Sequence, residues 1–86
     1  MKDAWPFAEA VDPKQVTDYY NVIRFPMDLR SMETRLNGGH YTTKELFVED
    51  FNLIISNCRA YNTPETTYCR CADNIEAKFK ALMQGF

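Results

Sequence analysis

The chain lacks any apolar run approaching the ~18 residues that cross a bilayer. Its opening, Met1-Lys2-Asp3-Ala4-Trp5-Pro6, has no apolar stretch of the secretory kind. The expectation is a soluble, intracellular chain, or a piece cut from something larger, without a membrane partner. A basic excess is also missing: ten Lys and Arg stand against twelve Asp and Glu, for a net charge of -2. The charges are evenly spread, with Lys2, Lys14, Arg24, Arg30 and Arg35 facing Asp3, Glu9, Asp12, Asp18, Asp28 and Glu33 in the first half. No stripe forms that would track a phosphate backbone, so direct nucleic-acid binding is not expected.

Cysteine is scarce and odd in number: Cys58, Cys69 and Cys71, without a framework spacing. That reads as reduced thiols in the cytosol or nucleus. With the single His40 they would formally make a zinc set, but there is no C-x2-C knuckle. Cys69 and Cys71, two apart, would point to different sides of a helix. No metal and no cofactor is expected. Catalytic patterns are missing too. There are no paired carboxylates, no Ser-His-Asp set and no local group to activate a thiol. The only Gly pair, Gly38-Gly39, follows a helical pattern instead of opening one, so it is no phosphate loop. The chain is not expected to be an enzyme.

What is present is an apolar content of 45% with 26% charge in 86 residues, enough for one folded domain. Three segments carry helical periodicity. After Pro26, Leu29, Met32 and Leu36 recur at steps of three and four, with Asp28 as N-cap and Asn37-Gly38-Gly39 as the stop. The second begins near Thr42 and Thr43. Thr42 with Glu45 fits a capping box, and Phe47, Phe51, Ile54, Cys58 and Tyr61 mark one face. The third follows Pro64, capped by Thr63 or Thr66, with Tyr68, Ala72, Ile75, Phe79, Leu82 and Phe86 in register. No strand pattern competes. The fold expected is an all-α bundle with short connections.

Between Ala8 and Met27 periodicity fails and Pro13 and Pro26 intervene. Loops of that length in a small domain are usually functional. With the residues just before it, this region holds Trp5, Phe7, Val11, Val16, Tyr19, Tyr20, Val22, Ile23 and Phe25, which a solvated linker would not carry. They are expected to pack on the end of the bundle and shape a cavity there, with at most one helical turn near Asp18 to Val22. Tyr20, Phe47, Phe51 and Phe79 read as core.

Asn57-Cys58-Arg59-Ala60-Tyr61-Asn62 closes the second helix. Asn62 follows the last periodic apolar position, where an Asn serves as a C-cap, a surface residue, or a carboxamide facing the bundle end. Tyr61, Tyr68, Tyr19 and Trp5-Pro6-Phe7 are candidates for the same end. An aromatic slot with one fixed amide suits a small neutral group bearing one carbonyl.

Trp5-Pro6-Phe7, Val11, Asp18-Tyr19-Tyr20, Pro26-Met27-Asp28-Leu29 and Asn57-Cys58-Arg59-Ala60-Tyr61-Asn62 together resemble the bromodomain pattern in order and spacing, from about Ala4 to the C-terminus. The subtype looks like that of nuclear histone acetyltransferases and chromatin-remodelling subunits. The resemblance implies a reader of N-acetyl-lysine on acetylated histone tails, working in the nucleus. It implies that Asn62 hydrogen-bonds the acetyl carbonyl and that Tyr19 reaches the same oxygen through a water. It further implies that Trp5, Pro6 and Phe7 form a shelf, that Phe7 and Val11 wall the methyl, that Tyr61 lines the pocket, that Tyr68 is the gatekeeper and that Cys58 lies at the floor.

Elementary energetics agree. A lysine ammonium would lose its water in such a slot without a counter-charge, at several kcal/mol. Acetylation removes the charge and leaves an amide that one carboxamide satisfies, so discrimination comes from the penalty on the wrong ligand. About five buried heavy atoms at about -1 kcal/mol each place Kd near ~0.1–1 mM. Such binding gains from multivalency.

The family also implies a left-handed bundle whose first long helix precedes the shelf. Only Met1-Lys2-Asp3-Ala4 precede it here. The expectation is therefore a single domain over residues 1–86 with three long helices, a long ordered loop and a truncated first helix. An apolar stripe left uncovered would invite dimerisation or a domain swap. Ala10 stands where many relatives have Pro, which would loosen the loop. The rival reading is a helical protein–protein interaction module with a degenerate pocket.

Overall fold

The computed structural model describes residues 2–85, and every regular element among them is helical. A 3-10 helix at Lys2–Phe7 is followed by a one-turn α1 (Tyr19–Val22), then α2 (Leu29–Asn37), α3 (Lys44–Tyr61) and α4 (Thr67–Met83). The all-α bundle and the single turn near Asp18 stand as the sequence suggests. Two details of the reading change. Trp5-Pro6-Phe7 lies inside the short 3-10 helix, whose few bonds tolerate a proline without an N–H. Of the three periodic helices only α3 and α4 are long; α2 has nine residues.

Local signals set the boundaries. Asp28 is extended and accepts from the Ser31 N–H at 2.9 Å and the Ser31 hydroxyl at 2.7 Å. Its carboxylate, although buried, is thus fully engaged. At the far end of α2, Gly39 takes φ +77°, which favours a residue without Cβ. The cap of α3 is Thr43, not Thr42: its hydroxyl accepts from the Leu46 N–H at 3.3 Å, so the Thr42–Glu45 box does not form. Thr66 caps α4, accepting from the Cys69 N–H at 3.3 Å.

The core lies where α3 meets α4 and α2. Phe51, Ile54, Ile55 and Cys58 of α3 are buried with Cys69, Cys71, Ala72 and Ile75 of α4 and Met32 of α2. Phe51 and Phe79 stack with ring centroids 3.8 Å apart, and Phe47 flanks Phe79 at 5.9 Å. Each fully buried Ile contributes about 2–3 kcal/mol relative to exposure. Cys69 and Cys71 do point to different sides, and both are buried because the 3-10 helix covers the second side: Cys71 Sγ lies 3.9 Å from Asp3 Oδ1. All three thiols are free.

Some apolar residues expected inside are outside. Leu36 and Leu82 continue the helical stripes but are 57% and 62% exposed, since no described element reaches over them. Phe86 lies outside the described residues. In the N-terminal segment Phe7 and Ile23 are buried, whereas Val22 and Phe25 face solvent. Tyr20 is exposed too and is not core: its hydroxyl donates to the Val11 carbonyl, holding two parts of the loop together. The segment is pinned to α3 by Asn57, a buried amide on an apolar face whose Nδ2 donates to the Phe25 carbonyl at 2.8 Å.

Candidate functional site

A cavity of about 340 Å³ opens where the N-terminal segment meets the C-terminal end of α3 and the start of α4. Its back is built by one stripe of α3. Ile54 and Cys58 are one turn apart, and Tyr61 and Asn62 follow at the next. The backbone of Asn62 turns extended, with φ -108° and ψ 147°, and ends the helix. Its N–H still donates to the Cys58 carbonyl at 2.9 Å, and its Nδ2 donates to the same oxygen at 3.1 Å. Asn62 is therefore both C-cap and cavity wall. Nδ2 carries two hydrogens. Besides the helix-end bond, Nδ2 lies 3.7 Å from Cys58 Sγ, a weak acceptor.

Cys58 presents a protonated thiol. Burial, then the neighbouring Cys69, pushes it up to about 11, so at neutral pH it is an apolar surface rather than a nucleophile. Cys69 Sγ lies 3.6 Å from the Asn62 carbonyl and 3.9 Å from that of Cys58, packing beneath the helix end. His40 joins none of the thiols, and among the described residues no group of three His, Cys, Asp or Glu gathers as metal ligands would.

Tyr19, at the start of α1, forms the opposite wall. Its ring packs on Tyr61 at 4.9 Å and on Tyr20 at 5.3 Å. No hydrogen bond engages its hydroxyl among the described residues. Desolvation holds its phenol above the ordinary range, so it stays a neutral donor. Tyr61 differs: its hydroxyl donates to Asp18 Oδ1, which pushes its ionisation to higher pH.

The 3-10 helix supplies the third wall. Phe7 is buried against the core, Pro6 is partly covered, and Trp5 stands 60% exposed at the mouth. The Trp5 ring sits 5.8 Å from Tyr68, the second residue of α4, itself exposed. Val11 closes the side beneath Tyr20. Thus Asn62, Tyr19, Tyr61, Tyr68, Val11, Phe7, Pro6, Trp5 and Cys58 all line one cavity.

The cavity has further walls. Val16 and Tyr20, expected to help shape a cavity at this end, and Met27 and Ile54, which sequence reasoning did not assign to it, add apolar surface. Ile54 carried a signal, standing four residues before Cys58 on the same helical face. Glu9 and Asp28 also border the space, although the residues matched to the pocket include no carboxylate. Both are already engaged: Asp28 accepts twice from Ser31, and Glu9 pairs with Arg30 at 3.0 Å. The site offers an aromatic-walled slot with an anchored carboxamide and one unengaged phenol. That suits a group with a single carbonyl acceptor and a small apolar end.

A family model described as bromodomain matches residues 1–74 of the chain. Over 83 residues the chain is 53% identical to the histone acetyltransferase GCN5 of Yarrowia lipolytica, covering 92% of itself and 18% of that protein. It is 45% identical over 85 residues to the nucleosome-remodeling factor subunit NURF301 of Drosophila melanogaster, covering 99% of itself and 3% of that protein. The chain thus spans less than a fifth of either relative. Among solved structures, the bromodomain from human BAZ1A superposes with a TM-score of 0.96 at 32% identity, over 99% of this chain and 79% of that one.

Proposed function

The chain belongs to the bromodomain family, and on that premise we propose that residues 1–86 form one domain reading N-acetyl-lysine in acetylated histone tails. Bromodomains are acetyl-lysine-reading modules of chromatin proteins. In this reading Asn62 Nδ2 exchanges its weak contact with Cys58 Sγ for a hydrogen bond to the acetyl carbonyl. The Tyr19 hydroxyl reaches the same oxygen through one water. Phe7 and Val11 enclose the methyl, Cys58 and Ile54 floor the slot, and Trp5 and Tyr68 flank the lysine stem. Nothing is made or broken, and the bound group leaves unchanged.

The observation that carries the reading is the double anchoring of Asn62 on the Cys58 carbonyl, which holds its carboxamide in the cavity wall. An unmodified ammonium would have to shed its water in the slot, and the carboxylates bordering it already accept from Ser31 or pair with Arg30. A degenerate pocket would be filled by the protein's own side chains; here about 340 Å³ is open. The chromatin proteins among the relatives favour a nuclear setting.

Calorimetric or NMR titration with acetylated and unacetylated histone-tail peptides tests the proposal. The wild type should bind the acetylated form with Kd near ~0.1–1 mM, and Asn62→Ala should lose that preference. Equal binding of both peptides by the wild type would overturn it.

A further inference from the structure

Tyr61 and Asp18, 43 residues apart in sequence, meet at the rim of the cavity, where the Tyr61 hydroxyl donates to Asp18 Oδ1. Asp18 sits at the N-cap position of α1, yet its side chain makes no capping bond. Its backbone carbonyl starts the turn by accepting from the N–H groups of Asn21 and Val22 at 3.1 and 3.3 Å. The carboxylate is therefore not occupied by its own helix and reaches across to α3.

The neighbours give this bond its meaning. Asp18 immediately precedes Tyr19, and Tyr61 immediately precedes Asn62. One hydrogen bond thus ties together the residues adjoining the two groups assigned to the acyl oxygen. The Tyr61 ring adds a second contact, packing on Tyr19 at 4.9 Å. The other fastenings of the segment lie to either side: Tyr20 holds the Val11 carbonyl, and Asn57 holds the Phe25 carbonyl at 2.8 Å. Neither hydrogen bond engages Tyr19 or Asn62, although the Tyr20 ring packs edge-on against Tyr19 at 5.3 Å. Buried Ile23 and the Asn57 bond keep α1 on the bundle without the latch, so its loss frees Tyr19 without unfolding the domain.

We propose that Asp18 is a positioning residue for acyl-lysine recognition, its bond to Tyr61 setting the separation between the Tyr19 hydroxyl and the Asn62 carboxamide. This rests on the reading of the cavity given above. Asp18 touches no part of the ligand; it acts through Tyr61. An Asn at this position keeps an acceptor oxygen, whereas Ala removes it.

The test compares Asp18→Ala, Asp18→Asn, Tyr61→Phe and the Asp18→Ala/Tyr61→Phe double variant by NMR titration with an acetylated histone-tail peptide. Asp18→Ala and Tyr61→Phe should each weaken binding about threefold to tenfold, the range of one hydrogen bond. The double variant should be no weaker than the worse single one, because both remove the same bond. Asp18→Asn should restore near wild-type binding. Titration of 13Cζ-labelled tyrosine supplies a readout independent of the peptide: Tyr61 should ionise at lower pH in Asp18→Ala than in the wild type.

Wild-type affinity in Asp18→Ala, or additive losses in the double variant, would overturn the proposal. An unmoved Tyr61 titration in a folded Asp18→Ala protein would do so as well. Should the wild type fail to prefer acetylated peptide, the cavity reading falls, and the tyrosine titration still decides whether the latch exists. If Asp18→Ala does not fold, Tyr61→Phe and Asp18→Asn carry the comparison, and losses as large with Asn as with Phe would overturn it.

Discussion

Asn62 is bound twice to Cys58, through its backbone N–H at 2.9 Å and its side-chain Nδ2 at 3.1 Å, both on one carbonyl oxygen. The helix end thereby sets the plane of the carboxamide, and a group that caps α3 also faces the cavity. Asn62→Asp removes both side-chain donations and leaves only the backbone N–H bond to the Cys58 carbonyl. The substituted side chain has the same shape but no hydrogen to give, and it places a charge beside a desolvated thiol. Acetyl-peptide affinity should fall at least about tenfold by calorimetry, with helical content by circular dichroism unchanged.

Asn57 holds the N-terminal segment on α3 through the Phe25 carbonyl. Asn57→Leu leaves that carbonyl without its partner in a partly buried place. Urea denaturation should show a loss of about 1–3 kcal/mol. Amide exchange should accelerate in residues 19–25 before it does so in α4, because the segment loses its fastening while the α3–α4 core keeps its own.

The Cys58 thiol is pushed up to about 11 from an unperturbed value of 9.0, first by burial and then by Cys69. The unfolded thiol loses its proton from about pH 9, the folded one only near pH 11. Stability from this group is full below the lower value and declines as pH rises through that window. Tyr41, raised to about 12 by burial and by its bond to Asp50, acts in the same direction. Denaturation midpoints should therefore fall between pH 9 and pH 11. Iodoacetamide at neutral pH should label Cys58 far more slowly in the native protein than in urea.

Two kinds of apolar helix position should separate in thermal denaturation. Ile75 is 1% exposed between α4 and its neighbours, and Ile75→Ala should cost about 2–5 kcal/mol. Leu36 and Leu82 carry the same periodic signal but lie open. Leu36→Gln and Leu82→Gln should each change stability by less than about 0.5 kcal/mol.

Much of the architecture was written locally. Asp28 with Ser31, Thr66 with the Cys69 N–H, and Gly39 with its left-handed φ are signals spanning three or four residues, and each marks its helix end where the sequence places it. The one slip, Thr42 for Thr43, came from two adjacent residues with the same side chain, of which Thr43 is the one whose hydroxyl meets the Leu46 N–H. The nine cavity residues were legible through a resemblance of motifs, not through periodicity: nothing in the spacing of Trp5, Tyr19 and Asn62 says that they meet. Tyr20 was misread because an aromatic in an apolar stretch ordinarily packs inward, whereas here its hydroxyl closes the loop on Val11.

By itself the sequence determined helix type, most helix ends and the family kinship. Those follow from backbone propensity, capping over a few residues and side-chain chemistry, which need no distant partner. Only the tertiary structure decided which apolar stripes are covered, that Asn62 turns back on Cys58, that Asp28 and Glu9 border the cavity already engaged, and that Asp18 reaches Tyr61. Burial and long-range hydrogen bonds depend on which surfaces come together, and that is fixed by the packing of whole elements.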